Sequence, residues 1–233
     1  MSEPTTVLLS VRGEARAIVA ADSAMLNGVL KATQDTKPAA LEAVAAALRE
    51  VTSELGSLGG VPLTVESRNQ PLTWSAYSAT TEPEHEDDEQ GRYRRTGRVI
   101  ASVAIQLVVR DFGILDRLSA VLATHEELSV HHVAWEVDPD NSSWPEVRAA
   151  AIQAAIDKGR HYAAALDGSL SRVEHIADVG LLGDDLAVGR ARAGYGESSF
   201  RPAGLPDVPS LDPVPQELIA VIDARFLAAV AAL

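Results

Sequence analysis

At 233 residues, 46% hydrophobic and 23% charged, the chain has the composition of an ordinary globular protein that can bury a substantial core. Its 33 acidic and 20 basic residues leave a formal net charge of −13, and it has no cysteine. That field argues against a nucleic-acid partner, and the missing thiols exclude disulfides, thiol catalysis and Cys-type zinc sites. No apolar run reaches the roughly 20 residues of a membrane span. The opening Met1 to Thr6 has neither the basic nor the apolar region of a secretory signal, so the expected location is cytoplasmic.

Val7, Leu9 and Val11 alternate with Leu8, Ser10 and Arg12, which predicts a first strand, with Gly13 as a bulge or bend. Ala24, Leu26, Gly28, Leu30 and Ala32 predict a second strand forming a hairpin with the first, although Ala, Met and Leu also suit a helix there. Thr36 and Pro38 signal a helix start. Leu41, Val44, Leu48, Val51 and Leu55 form its stripe, and Gly56 is placed to end it. Leu63, Val65 and Ser67, then Leu72, Trp74 and Ala76, predict two short strands. Between Glu82 and Glu89 six carboxylates surround His85. They could serve a hard cation, but they lack a glycine-turned ligand loop, and the plainer reading is a solvated loop of like charges.

The stretch from Gly97 to Gly180 is the most legible. Val99 to Val109 alternates as a strand, Asp111 has the position of an N-cap, and Ile114, Leu115, Leu118, Val121 and Leu122 have helical spacing. His131, Val133, Trp135 and Val137 return to period two. Ser143-Trp144-Pro145-Glu146 has the form of a capping box. It leads into a helix whose stripe reads Ile152, Ile156, Gly159, Ala163 and Leu166, expected to pack on the sheet holding Val103, Ile105 and Val133. Val173, His175, Ala177 and Val179 close the unit. Strand, helix, strand, helix, strand is an α+β plait. The segment Leu181 to Pro213 is rich in Gly and Pro and reads as a long loop or lid. The last segment, Gln216 to Leu233, fits strand by alternation and helix by its alanine content.

The order of these pieces resembles the SIMPL domain family, a domain of unknown function. Its members include bacterial periplasmic proteins tied to oxidative-stress tolerance, an outer-membrane-associated immunogenic protein and a eukaryotic adaptor that binds a kinase in NF-κB signalling. Ser10-Val11-Arg12-Gly13-Glu14-Ala15 is similar to the family's opening strand and turn, and Ala20-Ala21-Asp22 to the step before its second strand. Arg98 to Asp111 resembles its strand ending in valine, arginine and aspartate. Ala150 to Leu166 resembles its Ala-rich helix, and Glu217 to Phe226 its closing strand. The resemblance implies two α+β subdomains. One comprises 1–96 and 214–233, with an acidic loop at 82–90. The other, at 97–180, is a ferredoxin-like plait, and a Gly/Pro-rich loop spans 181–213. It also implies that the first and last strands share a subdomain, which assigns the C-terminal segment to a strand.

The six histidines show no ligand spacing, and His131 and His132, adjacent in a strand, are expected on opposite faces. No Gly-x-Ser-x-Gly elbow is present, and Gly56-Ser57-Leu58-Gly59-Gly60 lacks the Lys and Ser/Thr of a phosphate loop, so it reads as a helix end and turn. Asp184-Asp185 is an exposed pair at most. No catalytic, cofactor-binding or metal-ligating residue is assigned, and neither a cofactor nor enzymatic activity is expected. Two functions remain. One is a non-catalytic, homo-oligomeric interaction or scaffold protein with a stress-related role, associating through sheet edges, the Val99–Val109 strand being little protected, or through the adjoining helix face. The other is a small-molecule binder or weak enzyme using a cleft between subdomains.

Overall fold

The structure, a computed structural model, describes residues 5–87, 93–179, 181 and 211–231. It is an α+β protein. In chain order its elements are β1 (Thr5–Val19), β2 (Ser23–Gln34), α1 (Lys37–Ser57), β3 (Val61–Pro62), β4 (Leu72–Ala76), β5 (Thr80–Asp87), β6 (Tyr93–Val109), a 3-10 turn (Phe112–Ile114), α2 (Leu115–Thr124), β7 (Leu128–Glu136), α3 (Trp144–Ala165), β8 (Ser169–Asp178) and β9 (Gln216–Val230). They divide into two compact units. One joins Met1–Ala20, Asp138–Gly196 and Pro215–Leu233; the other is built from Ala21–Val137 and Glu197–Val214.

The second unit holds a six-stranded sheet, ordered β3-β4-β6-β2-β7 with β5 also on β6. Its core lies where Leu26 and Leu30 of β2 and the buried Val103, Ile105 and Leu107 of β6 meet α1. As the stripe predicts, Val44, Val51 and Leu55 are the buried face of α1, joined by Ala40 and Ala47. The Thr36 hydroxyl caps this helix by accepting from the Ala39 N–H at 3.4 Å. The end falls later than expected. Gly59, not Gly56, takes the left-handed conformation (φ 84°), and the Gly60 N–H returns to the Leu55 carbonyl at 2.8 Å. Asp111 caps the 3-10 turn, its carboxylate accepting from the Gly113 N–H at 2.9 Å.

The first unit is a three-stranded antiparallel sheet, β1-β9-β8, with α3 across β1 and β9. The C-terminal segment is therefore a strand in spite of its alanines. Leu218, Ala220, Ile222, Ala224, Phe226 and Ala228 bury one face, a period of two that tertiary pairing enforces over helix propensity.

The structure corrects several expectations. β1 and β2 are not a hairpin: β1 pairs with β9 along its whole length, and β2 pairs with β6 and β7. The stretch 97–180 is not one plait, because β6 and β7 belong to one sheet and β8 to the other. Period two identifies a strand but not its partner. The α3 stripe is also turned. Gly159 and Ala163 are buried as expected, but Val147, Ala151 and Ala155 share that face while Ile152 and Ile156 are only half-buried, and the face packs on β1 and β9 rather than on Val103 or Val133. Gly13 is not a bulge, since the β1–β9 register runs unbroken. It is required because a Cβ there would overlap the Ala151 carbonyl and crowd Ala155.

At the start of α3 the capping box does not form. Ser143 is already helical in backbone (φ −81°, ψ −20°) and makes no side-chain cap, while its N–H donates to Asn141 Oδ1 at 2.9 Å. Leu63 to Ser67 is a turn rather than a strand. The Ser67 hydroxyl donates to the Pro62 carbonyl at 2.7 Å and accepts from the Thr64 N–H at 2.7 Å. The acidic run is no loop as far as Asp87, because Thr80–Asp87 is the strand β5. It sets His85 and Glu86 opposite Arg95 and Arg94 of β6, and positions 88–90 lie outside the described residues. Of the Leu181–Pro213 segment, only 181 and 211–213 are described.

Two substitutions test this packing. Ala155→Leu should destabilise the fold by about 1–3 kcal/mol through overpacking against β1, and by more than Ile156→Ala does; equal denaturant midpoints for the two would mean that the helix face is wrongly assigned. Thr73 of β4 is 1% exposed, and its hydroxyl has no hydrogen-bond partner among the described residues. Thr73→Val removes that desolvation cost, and its expected effect is neutral or stabilising by up to about 1 kcal/mol, read from the same denaturation curves.

Candidate functional site

The sheet of the first unit has two unlike faces. Residues of odd number on β1 and of even number on β9 face α3. The others form the opposite face, where Arg12 pairs with Asp223 on the neighbouring strand. The Arg12 Nε reaches Asp223 Oδ1 at 2.8 Å, and its Nη2 reaches Oδ2 at 3.2 Å. This hydrogen bond and the charge of Asp223 raise the pKa of Arg12 above its ordinary value. Arg16 bonds Glu14 at 2.8 Å and lies 3.4 Å from Glu217. Beyond these charges, towards the two ends of β1, stand two exposed apolar side chains: Leu8 is 52% and Ile18 71% exposed among the described residues.

β1 is also the edge of its sheet, and its outer side pairs with no strand among the described residues. Fifteen residues long, without proline or bulge, it is a regular template for another strand. The opposite edge, β8, is blunted by irregular register between Leu170 and Arg172 and between Val173 and His175. The edge expected from the sequence is absent: Val99–Val109 lies inside its sheet, with β2 on one side and β4 and β5 on the other. Its lack of charge is the mark of a central strand. The Arg and Glu residues alternating on β1 signal an exposed face, which the middle strand β9 shares through Glu217, Asp223 and Arg225, so they do not by themselves identify the edge.

A groove of about 500 Å³ runs between α3 and β8, where α3 stops short of covering the third strand. Ile152, Ile176 and Ile222 form its apolar floor, and Arg148 and Asp178 stand at its polar rim. The Arg148 guanidinium also rests over the Trp144 ring, 5.1 Å from its centroid.

The structure does not gather the histidines. His131 and His132 are both exposed, and the register slips between His132 and Val130, leaving His131 as the extra residue. His125 lies 3.2 Å from Glu54, while His85, His161 and His175 are on separate elements. Among the described residues no group of three or more His, Asp or Glu is placed to hold a metal ion. Arg98 reaches the Thr33 carbonyl at 3.1 Å and lies 3.7 Å from Glu84, within its own sheet. The Gly56–Gly60 string is the end of α1, and Asp184-Asp185 lies outside the described residues.

The family model for SIMPL, a protein of unknown function (DUF541), matches residues 9–226. The chain belongs to the SIMPL family. The match spans β1 to β9, so the pairing of first and last strands lies within the SIMPL domain itself. A search of curated proteins returned no match. Among the described residues, no helix of this SIMPL protein is long and apolar enough to cross a membrane.

Proposed function

We propose that this SIMPL protein is a non-catalytic interaction or scaffold protein that works as a homo-oligomer. The observation that carries this reading is the edge of β1, which pairs with no strand among the described residues: long, regular and bearing exposed Leu8 and Ile18. The family resemblance alone supports the stress-related role. The formal charge of −13 per chain opposes association at low salt, but at 0.1 M ionic strength it is screened beyond about 10 Å. Light scattering at micromolar concentration and moderate salt should show a mass above 24.6 kDa that rises with concentration. A monomer at every concentration overturns the reading.

The groove beside α3 supports a second reading, a small-molecule binder, with the site on one unit. An apolar floor under a guanidinium suits a short alkyl carboxylate. Titration with octanoate should give saturable heat that Arg148→Ala abolishes; the absence of heat in the unaltered protein removes this reading.

A further inference from the structure

We infer that the partner of the β1 edge is β1 of a second copy, antiparallel, about a two-fold axis through Gly13. This rests on the self-association reading and specifies its interface. A symmetric pair must present one surface to itself, so the sequence of the edge has to complement its own reverse. A continuous sheet must also keep outer-face residues opposite outer-face residues, which confines the axis to a residue position on the strand.

With Gly13 on the axis, Arg12 falls opposite Glu14 of the second copy, and Glu14 opposite its Arg12. Further out, Leu8 falls opposite Ile18, the two exposed apolar residues of the strand. Arg16 falls opposite Ser10. Moving the axis one residue either way sets Arg12 against Arg12 or Glu14 against Glu14, like charges directly opposed. Moving it to Ala15 sets Ile18 against Arg12 and shortens the overlap. Only the Gly13 register therefore pairs unlike charges and apolar groups together over most of the strand.

The helix layer fits the same arrangement. α3 lies over β1 and β9, so two copies joined at β1 place their α3 helices about two strand spacings apart, roughly 9–10 Å. Packed helices sit about 8–10 Å apart. Lys158 Nζ donates to the Arg12 carbonyl at 2.7 Å, which places that side of α3 towards the β1 edge. Ala150 and Ala154, eight and four residues earlier, share that side and offer little bulk between the helices. The Arg12 carbonyl has a second lone pair, so Lys158 does not have to leave for the edge to pair. The product is one sheet, β8-β9-β1 continued by β1-β9-β8 of the second copy, with both helices on one face.

The chain contains no cysteine, so introduced thiols report without background. Leu8→Cys, Ile18→Cys and the double variant are treated with a short bis-maleimide, and the unaltered protein and Glu14→Arg are followed by light scattering. All three positions are exposed, so the variants should fold. The double variant should form covalent dimers and the single variants should not, because each thiol then lies about 33 Å, ten residues, from its mate. Glu14→Arg should weaken the dimer by about tenfold or more. A dimer that persists in light scattering but does not cross-link, cross-links equally in the single variants or ignores Glu14→Arg overturns this interface and leaves self-association standing. A monomer throughout overturns both.

Discussion

The first unit depends on a backbone-to-backbone contact between α3 and β1. Ala151, Ala155 and Gly159 present almost no side chain, and on the strand below them Gly13 presents none. Helix and sheet close until the Ala151 carbonyl stands where a Cβ of residue 13 would be. Packing this close leaves no room for rearrangement, since interiors are as dense as organic crystals and a single methyl is felt. It also explains the scarcity of large residues on α3, where bulk would lift the helix off β9. At Gly159 the open position is filled by the ring of Phe226 from the strand below.

Much of this fold could be read from the residues, and the errors share a cause. Strands β1, β2, β6, β7 and β8 follow from period two, β9 from the family resemblance, and α1 from its apolar stripe and Thr36 cap. The sheets did not follow, because alternation says which face is buried and nothing about which strand lies alongside. β7, α3 and β8 are consecutive and suggest one unit, yet β8 is held by β9, which follows it only after the 181–213 segment. The face of α3 was missed for a different reason. A stripe of isoleucines is louder than one of alanines and glycine, although here the small residues are the ones that touch the sheet.

The candidate site was legible only in its parts. Arg12, Glu14 and Arg16 are visible as an alternating charged face, but whether such a face borders an edge depends on the pairing of the whole sheet. The apolar run of Val99–Val109 has the look of an unprotected edge but is protected by position: β2, β4 and β5 satisfy its backbone on both sides. Charge placed on β1 and irregular register placed on β8 are what a sheet with two real edges requires.

The pairing of β1 with β9 also orders events during synthesis. Arg12 and Asp223 are 211 positions apart in the chain, and β9 is the middle strand, so neither β1 nor β8 has a sheet to join until β9 emerges. The other sheet draws its strands from 23–136 and can close while the ribosome is still working. The first unit thus carries the long-range contacts that slow folding, and throughout that interval β1 waits as an unpaired strand. Arg12, Glu14 and Arg16 keep that waiting strand in water until its mate arrives.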